Sequence, residues 1–88
     1  MFEIQYSENL SIQQLSLTEF LLKIENSNIY TNLLPHLYQF GWEQYMRLHP
    51  LTINGEPKYQ IMISGMDKEC FERHFYLLKP DFIESLAI

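Results

Sequence analysis

The dipeptide Asn54-Gly55 constrains this chain more than any other feature. Both residue types tolerate positive φ, which the type I′ turn joining two twisted strands requires, so the pair predicts a β-hairpin. With these two residues as the loop, Ile53 faces Glu56, Leu48 faces Ile61 and Met46 faces Ile63. One face of the hairpin then carries four apolar side chains. The prolines test the register independently. Pro50 falls opposite Tyr59 and Pro57 opposite Thr52, both in non-hydrogen-bonded pairs, where a missing amide costs the hairpin nothing. Their nitrogens point away from the hairpin partner, so a further strand must join beside residues 43–48 or 60–65.

Elsewhere the pattern is read from spacing. Phe2, Ile4 and Tyr6 alternate with Glu3 and Gln5, predicting a strand over 2–6 that joins the open end of the hairpin. Ser7-Glu8-Asn9 breaks that pattern. Ser16-Leu17-Thr18-Glu19 has the form of a capping box, and Leu17, Phe20, Leu21 and Ile24 have helical spacing, predicting a helix over 17–26. Leu33, Leu37 and Phe40 predict a second helix over 32–40, capped by Thr31 or Asn32 and closed by Gly41. Its start is set by Pro35, which lacks an amide and belongs in a first turn. Asp67 caps a third helix over 67–79, whose Cys70, Phe71, His74, Leu77 and Leu78 share a face. Pro80 stops it and opens a further turn carrying Phe82, Ile83 and Leu86. The expected fold is α+β: one domain over 1–88, with a small three-stranded, mainly antiparallel sheet (2–6, 43–53, 57–64), helices on one face, and element order β-α-α-β-β-α.

Composition bears on setting and partners. Cys70 is the one cysteine, so no internal disulfide forms, as suits a reducing cytoplasm. Neither a basic leader nor an apolar run of about 18 residues occurs, so neither export nor membrane insertion is expected. The formal charge is −5, and before Arg47 the one cation, Lys23, stands against Glu3, Glu8, Glu19, Glu25 and Glu43. That field repels phosphate backbones, and Glu25-Asn26-Ser27-Asn28 supplies no glycine clamp for one, so nucleic acid is not the expected partner. Six Tyr, six Phe and Trp42 must either fill the core or face a partner.

No phosphate-cradling loop, Cys-x-x-Cys pair, His-Glu-x-x-His helix or Gly-x-Ser-x-Gly elbow is present, so no cofactor or catalytic residue is nominated. Glu69, Glu72 and Glu84 read as solvated helix faces. Cys70 and His74 stand four apart on a helix. Such a pair packs inertly, or serves an enzyme or metal site completed by a second subunit, which is the alternative reading. The leading expectation is a small non-catalytic protein-binding module, an inhibitor, immunity- or antitoxin-like partner or regulatory subunit. It would act through an acidic, aromatic-rich surface, and the charge favours a basic target. The second face of the hairpin carries Tyr45, Arg47, His49, Leu51, Ile53 and Met62. Either the C-terminal Phe82 and Leu86 fold across it, or a second copy covers it in a homodimer.

Overall fold

Asn54 and Gly55 adopt φ of 51° and 80° in the computed structural model, which describes residues 1–88. The hairpin around them keeps the expected register: Ile53 pairs with Glu56, Thr52 with Pro57, Leu48 with Ile61 and Met46 with Ile63. Pro50 divides its first arm, giving β4 (Met46–Leu48) and β5 (Leu51–Ile53), both paired with the long β6 (Glu56–Ser64).

The sheet is larger than three strands. Three more precede the hairpin, β1 (Glu3–Ser7), β2 (Leu10–Ser16) and β3 (Glu19–Ile24), and the antiparallel sheet runs β1-β2-β3-β6-β4 with β5 also on β6. The helices are α1 (Ser27–Gln39), α2 (Lys68–Phe75) and α3 (Pro80–Ser85), so the order is β-β-β-α-β-β-β-α-α, which corrects β-α-α-β-β-α. A strand does join residues 59–64 of the hairpin, but it is β3; the strand near residues 2–6 is separated from the hairpin by β2 and β3 and lies at the edge.

Residues 17–26 therefore form no helix. Leu10 and Ile12, then Phe20, Leu22 and Ile24, alternate along β2 and β3 and are all buried. Leu17 and Leu21, which completed the helical stripe, lie off the core, Leu17 at 75% exposure. A run as short as Glu19–Ile24 satisfies both periods, and pairing on both flanks decides for the strand. Ser16 serves the turn instead of a helix start, its Oγ accepting from the Thr18 amide at 3.3 Å.

The next helix starts earlier than Thr31. Asn26 Oδ1 accepts from the amides of Asn28 and Ile29 at 2.9 and 3.1 Å, so α1 begins at Ser27 and carries Pro35 in its interior. An interior proline costs about 3 kcal/mol, which burial of Ile29, Leu33 and Leu37 along one stripe offsets. Asp67 caps α2, accepting from the Cys70 amide at 2.8 Å, but α2 ends at Phe75, short of residue 79. It buries Phe71 and Phe75, while Leu77 is exposed.

Seventeen apolar residues form one buried cluster between the sheet and the helices. Rings dominate its centre: Phe20 stacks on Phe71 with centroids 4.3 Å apart, and Trp42 lies 5.5 Å from Phe71. Most of the aromatic content is thereby spent on the core; Tyr38 and Phe82 are the exposed large rings.

The C-terminal segment lies on this covered side, so it does not cross the hairpin's second face. Ile83 is fully buried, and Asn28 and Asn32 donate from Nδ2 to the carbonyls of Ala87 and Leu86 at 3.0 and 2.9 Å. Glu84 is no solvated carboxylate. It accepts from the Asn9 amide at 2.9 Å and from Asn9 Nδ2 at 2.8 Å, tying α3 to the β1–β2 turn. Burial alone would raise its pKa, but these bonds and the Ser7 hydroxyl hold it below the usual carboxylate value. That hydroxyl is buried beside the carboxylate without a partner at full hydrogen-bond geometry.

Candidate functional site: the open face of the sheet

Strand alternation puts every second residue of the sheet on the side away from the helices. Register then aligns these residues in rows. One row runs Glu3, Gln13, Leu21, Met62 and Arg47 across β1, β2, β3, β6 and β4. The next runs Gln5, Ser11, Lys23 and Gln60. His49 continues it, since its amide donates to the Gln60 carbonyl at 2.8 Å. At the hairpin tip Leu51 faces Lys58 and Ile53 faces Glu56.

Five of the residues expected from sequence therefore share this face: Arg47, His49, Leu51, Ile53 and Met62. Tyr45 sits at its margin in a short 3-10 turn (Glu43–Tyr45), half-buried, its ring beside Gly65. Phe82 and Leu86 are on the opposite side among the helices, where Phe82 meets His36 edge-on at 5.0 Å. The centre of the face, Ser11, Gln13, Leu21 and Lys23, was not legible while 17–26 was read as a helix. The alternation of Leu10 with Ile12, and of Phe20 with Leu22 and Ile24, was the signal that located it.

The face is charged in pairs. Lys23 Nζ lies 3.0 Å from Glu3, and Lys58 Nζ lies 2.9 Å from Glu25 and 3.7 Å from Glu56. The hydrogen bond to Glu25 holds the Lys58 ammonium above its ordinary pKa. Between the β1–β2 turn and the hairpin tip the sheet curls into a concavity of about 490 Å³, lined by Gln5, Ser11, Lys23, Glu25, Lys58 and Gln60 among others. Arg47 makes no ion pair and turns its Nη1 onto the Met46 carbonyl at 3.0 Å. Exposed ion pairs contribute roughly 0–1 kcal/mol, so a partner's charges can replace them at little cost. The face thus offers contact: apolar Leu21, Met62, Leu51 and Ile53 within exchangeable charges and amides.

Cys70 and His74 lie on the covered side. The sulfur is 3.9 Å from His74 Nδ1, while that nitrogen is 3.0 Å from the Cys70 carbonyl oxygen. A nitrogen that donates to a carbonyl has no lone pair left for the thiol. The ring also packs near Phe40 and Trp42, at 5.7 and 6.0 Å, and no three His, Cys, Asp or Glu side chains converge as metal ligands. No helix is long and apolar enough to cross a membrane. No family model, curated protein or solved structure matches the chain, so the site stands on its geometry alone.

Proposed function

We propose that the chain is a non-catalytic protein-binding module of the reducing cytoplasm, an inhibitor, immunity- or antitoxin-like partner or regulatory subunit, acting through the open face of its sheet. The observation that carries the reading is the one-sided sheet: three helices cover one face, while Leu21, Met62, Leu51 and Ile53 remain on the other. An antiparallel sheet tolerates one wet face, but apolar side chains interspersed with polar groups, Leu21 and Met62 in one row and Leu51 and Ile53 at the hairpin tip, have the composition of an interface. The net charge of −5 steers a basic partner towards the chain and makes association faster at low salt. The aromatic side chains contribute less to this surface than their number implies, because they fill the core.

The test is affinity capture with the intact chain, followed by a salt titration of the complex. A stoichiometric partner is expected. Its recovery should fall with ionic strength, disappear with Met62→Lys or Leu21→Lys, and survive Phe82→Lys on the opposite side. Absence of a stoichiometric partner, or loss of capture with Phe82→Lys alone, overturns the reading.

A further inference from the structure

The sheet has two edges, and they differ. At one edge Pro50 separates β4 from β5, so the outward-facing backbone there is interrupted by a residue without an amide. The other edge is β1. Phe2 accepts from the Gln14 amide at 2.8 Å, which makes Phe2–Gln14 and Ile4–Ile12 hydrogen-bonded pairs. The amides and carbonyls of Glu3 and Gln5 therefore point outward, away from β2, and both residues are exposed. Ile4 between them is 37% exposed although its side chain belongs to the covered face.

We propose that β1 pairs antiparallel with β1 of a second copy, with Ile4 on the twofold axis. The occupant is chosen by self-complementarity of the edge. With Ile4 opposite Ile4 of the second copy, Glu3 pairs with Gln5 in both directions and Phe2 faces Tyr6, so four outward-facing backbone hydrogen bonds close. Apolar side chains meet along the covered side, and no like charges oppose each other. The neighbouring registers fail on this strand. Shifted one way, Glu3 faces Glu3, which is destabilising. Shifted the other way, Glu3 must pair with Ser7, which the irregularity between Gln5 and Ser7 turns into the chain, where it is buried. Glu3 keeps its own counter-ion, Lys23, so the pairing strands no charge. The two sheets become one, with both helical layers on one side and both open faces on the other. Edge pairing stands without the proposed function; what rests on that function is that the joined faces double the binding surface.

Sedimentation from micromolar to millimolar concentration, with hydrogen exchange of the Glu3 and Gln5 amides, tests the pairing. A concentration-dependent dimer is expected, in which these two amides, unprotected in the monomer, become protected. Ile4→Lys should give a monomer with unchanged circular dichroism, and Ile4→Thr a weakened dimer should the lysine variant not fold. Gln5→Lys places a cation opposite Glu3 twice per dimer and should tighten association about fivefold, while Gln44→Lys, the same substitution at an exposed position beside β4 at the opposite end of the sheet, should not. A chain that stays monomeric throughout, a dimer whose Glu3 and Gln5 amides exchange as in the monomer, or a dimer indifferent to Ile4→Lys overturns the proposal. Partner capture by an Ile4→Lys monomer reads the open face separately, so the two proposals fail independently.

Discussion

The two faces of the sheet are built from the same strands, one residue apart, yet they serve different ends. On the covered face Ile12, Leu22 and Ile61 align across β2, β3 and β6 and are wholly buried. On the open face the adjacent row, Gln13, Leu21 and Met62, is only partly buried. The pleat thus separates residues that hold the fold from residues that the fold leaves free to vary. The largest expected effect follows directly. Leu22→Ala or Ile61→Ala should cost about 2–5 kcal/mol in urea unfolding, a large part of the stability of a small domain. Leu21→Ala and Met62→Ala should each cost under about 1 kcal/mol. Equal losses on both faces would mean that the open face is covered in solution.

The covered side depends on one polar contact as well as on packing, and its loss should show in the pH dependence. Glu84 joins α3 to the β1–β2 turn through its two bonds to Asn9. Because hydrogen bonding holds its carboxyl below the ordinary value of 4.5, the contribution is present above that value and lost as pH falls through the lower folded value. Glu84→Gln should destabilise the chain by about 1–2 kcal/mol near neutrality, after allowance for partial solvent screening. The gap between parent and variant should close as the pH is lowered below 4.5. A gap that persists into acid would assign the contact to shape instead of charge.

The hairpin over residues 46–64 was legible because its information is local: Asn54-Gly55 sets the turn, and two prolines confirm the register. Gly55 has φ of 80°, so Gly55→Ala should cost about 1 kcal/mol in the same unfolding assay, less than any truncation in the covered row. The β2–β3 hairpin was not legible, because Glu19–Ile24 fits both periods and Ser16 is as useful to a turn as to a helix start. What decides is the long-range pairing of β3 with β6, which a local pattern does not contain. Pro35 misled in the same way, since the tertiary burial of Ile29 and Leu37 outweighs a local penalty. The hairpin's share of the open face was accordingly foreseen and its centre was not. Phe82 and Leu86 were misplaced because the destination of α3 is set by Asn9, far away in sequence.

The smallest effect expected is at Cys70, and it tests whether the division of labour between the faces holds. Cys70 and His74 lie among the helices, so thiol or metal chemistry there would put function on the side assigned to stability. Geometry argues for packing. His74 Nδ1 is engaged 3.0 Å from the Cys70 carbonyl and the sulfur sits farther away, at 3.9 Å. A base that activates a thiol must have its lone pair directed at that hydrogen, and here the nitrogen's hydrogen is directed at an oxygen. Cys70→Ala should therefore shift stability by no more than about 0.5 kcal/mol. His74→Gln should leave the rate at which iodoacetamide alkylates Cys70 within about twofold, since the imidazole does not generate the thiolate that reacts. A tenfold slowing, on the order of the 1.4 kcal/mol that separates an assisted from an unassisted thiol, would show that the ring turns to the sulfur in solution. Chemistry would then reside on the covered side, and the binding role proposed for the open face would have a competitor.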